Sequence, residues 1–138
     1  DARIPHLRRC PAAKRFLSLE PLLGPIDLSV VGGDCAGCTD PRSEGTHQSG
    51  TRQHPSVIDG LGGIGWVIVG GESGPVARPC HVDWIRSIVA QCKAAGVPCF
   101  VKQLGSCVET DRGHWKLRDR KGGDPSEWPA DLRVREMP

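Results

Sequence analysis

In the stretch 66-WVIVGGESGPVARPCHVDWI-85 a run of β-forming residues, Trp66 to Val69, breaks into Gly70-Gly71-Glu72-Ser73-Gly74 before a helical pattern begins. The apolar run Ile64 to Val69 is uninterrupted, as expected of a strand covered on both faces. From Val82 to Ala95 the apolar residues Ile85, Ile88, Val89, Cys92 and Ala95 recur at helical spacing and form one stripe. Asp83 in the first turn and Lys93 in the last suit the helix dipole. Gly96 and Pro98 supply the stop. Cys99-Phe100-Val101 then reads as another strand, ending at Lys102-Gln103. Strand, glycine-rich turn, helix and strand make a βαβ unit with a parallel pair and a right-handed crossover. A further strand at Lys14 to Leu19 is expected beside it, after a short helix over 2–9 that Pro11 closes.

The fold class is therefore α/β, built of parallel βαβ units. In a parallel sheet the carboxyl ends of the strands share one edge, and ligands bind there. The ends here carry Glu20, Glu72 and Lys102, two carboxylates and an ammonium, which makes them the candidate catalytic or ligand-gripping groups. Gly70, Gly71, Ser73 and Gln103 stand beside them as candidate cofactor-binding positions, because glycine allows close approach to the backbone. GGESG lacks the Lys-Ser/Thr of a phosphate-binding loop and the spacing of a dinucleotide fingerprint. A tight turn at the end of a strand would use the same residues.

Bulk composition narrows the rest. The 138 residues suit a single domain, 1–138, and the charged fraction of 25% with a net charge of +2 is that of an ordinary soluble protein. Gly and Pro together number 18 + 12 = 30, which implies long loops. No apolar run approaches the length of a membrane span, and no signal peptide opens the chain. It starts at Asp1 in what reads as the middle of an element, so a fragment-like domain is expected. Seven cysteines without a secretory signal read as reduced thiols, with Cys92 and Cys99 in the core and the protein in the cytoplasm.

Residues 32–63 have no hydrophobic period and are rich in Gly, Ser, Thr, Pro and Asp, so a long irregular, mobile loop is expected. Cys35-Ala36-Gly37-Cys38 within it has a spacing that suits zinc, and His47 and His54 follow in the same loop. Their spacing matches none of the common finger patterns, so two idle thiols are the alternative. Past Gly105 an irregular polar tail is expected, pinned by Trp115 and Trp128. The segment 112-RGHWKLRDRK-121 sets five basic residues around Trp115 against one acid, a pattern that either holds a nucleic-acid backbone or is solvated surface.

The stretches RFLSLEPLLGPIDL (15–28), 66–105 and DRKGGDPSEWPADLRVREMP (119–138) resemble a phage and prophage family of three-cysteine-motif proteins, a divergent radical-SAM-like group of unknown function. The resemblance implies the C-terminal part of a partial (β/α) barrel. It places the iron–sulfur cysteine motif and the first strands before the point where this sequence begins. S-adenosylmethionine and an iron–sulfur cluster thus belong to the full-length family by resemblance only, and the Gly-Gly-Glu element that holds S-adenosylmethionine in radical SAM enzymes comes too early in their barrel to equate with Gly70-Gly71-Glu72. The first expectation for function is the C-terminal portion of such a protein, not catalytic alone. The alternatives are a non-catalytic nucleic-acid-binding module and a small zinc-binding domain. A partial barrel exposes sheet edges, so self-association, a missing N-terminal half, or termini folded back over the edges are expected to cover them.

Overall fold

The computed structural model describes residues 3–29 and 61–138. Helix α1 (Arg3–Arg9) comes first. Pro5 is tolerated there because it sits in the first turn, where a backbone N–H would lack an intrahelical acceptor. Strands β1 (Phe16–Leu19), β2 (Trp66–Gly70) and β4 (Cys99–Gln103) form one open, fully parallel sheet with β2 in the centre. Between β2 and β4 lie the two-residue strand β3 (Cys80–His81) and helix α2 (Val82–Ala95). The order β1-β2-β4 is the parallel arrangement expected from the βαβ reading, and no barrel closes among the described residues.

Helix α2 ends in left-handed Gly96 (φ 66°), whose N–H reaches the carbonyl of Lys93 while Val97 N–H reaches that of Cys92, a Schellman closure. At its other end His81 Nδ1 accepts the N–H of Asp83 at 3.3 Å. The helix lays Ile85, Ile88 and Cys92 into the core that also holds Val67, Val69, Cys99 and Val101. Cys92 and Cys99 are both buried, and all five cysteines among the described residues are free thiols. Burial raises the thiol of Cys80 to about 11, and the contact with the Cys92 thiol, with burial added, raises that of Cys99, so both stay protonated at neutral pH.

The opposite face of the sheet carries Phe16, Trp66 and Phe100 in a row across the three strands, with ring centroids 6.0 Å apart at each step. The outer edge of β4 is covered by the chain's own C-terminal segment. Val101 N–H donates to the Val134 carbonyl at 2.8 Å, Glu136 N–H to the Cys99 carbonyl at 2.9 Å, and Phe100 bridges Arg135 in antiparallel fashion. The Glu136 carbonyl also accepts Trp66 Nε1–H, and the Arg135 guanidinium lies over the Phe100 and Trp128 rings.

Beyond Gly105 the chain is more regular than its polar sequence suggests. Strand β5 (Val108–Thr110) runs parallel to β3 and antiparallel to β6 (Gly113–Trp115), making a second three-stranded sheet. Strands of three residues carry no readable period, which is why sequence alone presents them as tail. Trp128 is buried and Trp115 half-buried, the two anchors expected there. Leu61, at the end of the long loop, is buried in the core. Among the described residues no helix is long and apolar enough to cross a membrane.

The turns that follow β2 and β4 are packed backbone on backbone. Gly71 N–H donates to the Gln103 carbonyl at 3.1 Å, Ser106 N–H to the Glu72 carbonyl at 2.8 Å, and a Cβ on Gly71 would collide with the Leu104 carbonyl. Main chain cannot swing aside as a flexible side chain can. Gly71→Ala is therefore expected to destabilise the protein by ~2 kcal/mol or more, a fall in Tm of roughly 6 °C. Gly24→Ala, where nothing lies within 4 Å of the added carbon, is expected to be near neutral; thermal unfolding of both variants checks the difference.

Candidate functional site

Glu20 follows directly on β1, and Lys102 lies near the end of β4, two strands away. The central strand between them ends in Gly70, which has no side chain to keep them apart. The pair therefore closes over it, with Lys102 Nζ to Glu20 Oε2 at 3.2 Å. Gly70 is required by this contact: a Cβ there would lie 2.7 Å from Glu20 Oε1 and 3.0 Å from the Gln103 carbonyl. The two partners are unequally hydrated, with the Glu20 side chain 17% exposed and that of Lys102 57%. Ser18 Oγ donates weakly to Oε2 at 3.5 Å, and Leu22 N–H donates to the Gly70 carbonyl, which ties the segment after a cis Glu20–Pro21 bond back to β2.

The other carboxylate oxygen, Glu20 Oε1, is enclosed and has no hydrogen-bond donor. An unmatched buried acceptor costs on the order of 1–3 kcal/mol. It sits beside a cavity of about 360 Å³ with walls of Ile4, Leu7, Leu17, Leu22 and Ile26, on which Arg3, Ser18 and Glu20 supply polar groups. Apolar walls with a few convergent polar groups are the usual composition of a small-ligand pocket.

The other sequence-predicted residues distribute around this pair. Gln103 is committed to the backbone, its Nε2 donating to the Gly71 carbonyl at 2.9 Å. Glu72 turns within its own loop to Arg78, which donates from Nε at 2.6 Å, from Nη2 at 3.2 Å and from its backbone N–H at 3.1 Å. Ser73 lies in a separate cleft of about 590 Å³ with Ser106, His114, Lys116, Arg120 and Lys121. Cys35 and Cys38, with His47 and His54, lie outside the described residues.

Several groups were not singled out by sequence. Arg78 has only its charge to mark it. Ser106 joins three segments, accepting Gly74 N–H at 3.0 Å, donating from Oγ to the Arg120 carbonyl at 2.6 Å and from its N–H to Glu72. Two groups of metal-ligand type also form, Cys107 with Glu109 and His114, and His81 with Asp83 and Asp111, the donor atoms within each lying no more than 4.8 Å apart. Neither has a recognisable ligand spacing, because each depends on a cross-strand register.

The chain belongs to the family described as protein of unknown function (DUF5131), which it matches over residues 1–129. No curated protein and no solved structure matches it.

The Glu72–Arg78 tie gives a pH dependence. The Arg78 guanidinium and backbone N–H hold the Glu72 carboxyl below its ordinary value of 4.5, so the folded form binds its proton later than the unfolded one. Glu127, held down by the backbone N–H groups of Asp119 and Arg118, and Asp131, held down by Arg86, shift in the same direction. A depressed carboxylate stabilises above its unfolded pKa and loses that contribution as pH falls through the folded value. Tm is accordingly expected to be flat from about pH 8 to about pH 5 and to fall below about pH 4. In Arg78→Ala the share due to Glu72 should be missing from the acid limb of a Tm–pH profile.

Proposed function

We propose that this DUF5131 protein binds a small zwitterionic ligand of the amino-acid type at the carboxyl edge of its parallel sheet. The observation that carries the reading is the Glu20–Lys102 pair over Gly70, with one carboxylate oxygen lacking a donor and a half-exposed ammonium beside it. A ligand ammonium matches the carboxylate, and a ligand carboxylate matches Lys102. The position agrees with the rule that open parallel sheets bind at the carboxyl ends of their strands. In the intact protein this chain acts as the C-terminal part of a radical-SAM-like, phage-type enzyme, a partial barrel whose inner face is the Phe16–Trp66–Phe100 side. What supports that reading is the resemblance of three long segments and the all-parallel order β1-β2-β4 with α2 on one face. S-adenosylmethionine carries an amino-acid end of the required charge pattern.

Titration calorimetry with S-adenosylmethionine and with methionine tests the reading. Binding of at least one is expected, weakened about tenfold or more by Glu20→Gln and by Lys102→Ala, each a lost charge-assisted contact, with Tm little changed. Binding of neither molecule, or equal binding by Glu20→Gln, would sink it.

A second reading rests on the cleft between Ser73 and Lys121. Lys116, Arg120 and Lys121 line it, and no ion pair within the described residues neutralises them. Trp115 lines it too, and three cations with an aromatic suit a single-stranded nucleic-acid backbone. With about three phosphates neutralised, affinity for a labelled oligonucleotide should fall with a log–log salt slope of roughly −2. It should also drop in Lys116→Ala/Lys121→Ala. A slope near zero removes this reading.

A further inference from the structure

Six acidic side chains of the described residues are half-buried: Glu20, Glu72, Asp83, Glu109, Asp119 and Glu127. Five are satisfied at least in part. Glu20 meets Lys102, Glu72 meets Arg78, Asp83 meets Arg86, Asp119 accepts Gly123 N–H, and Glu127 accepts Arg118 and Asp119 N–H. Glu109 has no hydrogen bond or ion pair within the described residues. What stands beside it is the free thiol of half-buried Cys107 and the imidazole of exposed His114, likewise without polar partners, with the three donor atoms within 4.8 Å of one another.

The backbone accounts for the grouping. Glu109 lies on β5 and Cys107 in the bend that leads into that strand, two residues before it. His114 is the register partner of Glu109 on β6. The hairpin is held on both sides: Cys80 N–H donates to the Cys107 carbonyl at 2.9 Å, and Thr110 Oγ1 closes the turn by donating to the Gly113 carbonyl and accepting Arg112 N–H. The ligands therefore project from a fixed frame and only their side-chain torsions need adjust.

We propose that Cys107, Glu109 and His114 form a three-ligand zinc site. Thiolate, carboxylate and imidazole together are a donor set that zinc accepts, and three protein ligands leave a fourth tetrahedral position for water or substrate. Bond lengths of about 2.0–2.3 Å put tetrahedral ligand atoms about 3.3–3.8 Å apart. Separations up to 4.8 Å thus close by rotation of an exposed imidazole and a glutamate, without backbone movement. On binding, the Cys107 thiol gives its proton to solvent and the metal takes its place. The neighbouring group of His81, Asp83 and Asp111 does not offer the same site. There His81 Nδ1 already accepts the helix-capping N–H of Asp83, and the Asp83 carboxylate is held by Arg86 at 2.8 Å.

The test uses the full chain carrying Cys35→Ser and Cys38→Ser, so that those thiols cannot contribute. After dialysis against zinc, elemental analysis is expected to give one equivalent. Cobalt substitution is expected to give a thiolate-to-metal charge-transfer band. Cys107→Ser should abolish the band, and His114→Ala, a change at an exposed position, should weaken zinc binding about 100-fold or more, beyond the 10–100-fold typical of supporting groups. Absence of stoichiometric metal in the Cys35/Cys38 variant would overturn the site. So would a band that survives both further substitutions while circular dichroism shows the fold intact.

Discussion

The close approach of the chain after β2 to the chain after β4 is the constraint on which the rest of this structure depends. At Gly71 the backbone passes so near the Leu104 carbonyl that no side chain fits, and the two turns hydrogen-bond directly to each other. The register shift between Val69 and Gly70 lies at the same place. Because the carboxyl edge is so tightly drawn together, groups on the two outer strands come within reach over the bare surface of Gly70. Glu20 and Lys102 pair there as a consequence of missing atoms as much as of charge.

The same economy of contact appears at the edge of the sheet. An unpaired parallel edge is an invitation to association. The outer edge of β4 is instead occupied by residues 134–136, which add backbone hydrogen bonds, a carboxylate on Cys99 N–H and a guanidinium over two aromatic rings. The expected need to protect exposed edges is met on this side by the chain's own terminus. On the other face of the sheet the aromatic row leaves Phe16 52% exposed.

The candidate sites divide between the two sheets. The parallel sheet gathers opposite charges at its carboxyl edge, beside an apolar cavity. The small β3-β5-β6 sheet gathers soft and hard metal ligands on one face. A cleft with three cations and Ser73 adjoins it through His114. The two sheets are linked through the turn at Ser106, which hydrogen-bonds to the Gly70–Gly74 turn and to the Arg120 backbone, so each braces the other.

The order of β2, α2 and β4, the bounds of α2 at Val82 and Ala95, and the parallel sheet with β1 as neighbour were legible in the sequence. Hydrophobic period, capping residues and glycine or proline punctuation are local signals, and they persist whatever the chain packs against. The candidate groups at the strand ends were legible for the same reason, since a strand end is a local event. Which of them meet was not. Glu20 and Lys102 join across 82 residues because a parallel register aligns them, while Glu72, drawn by the same pattern, turns to Arg78 six residues on. The hairpin that gathers Cys107, Glu109 and His114 has strands too short for any period to show. Residue identity and local geometry settled the elements; contact between distant side chains depends on register and loop path, which only the folded chain determines.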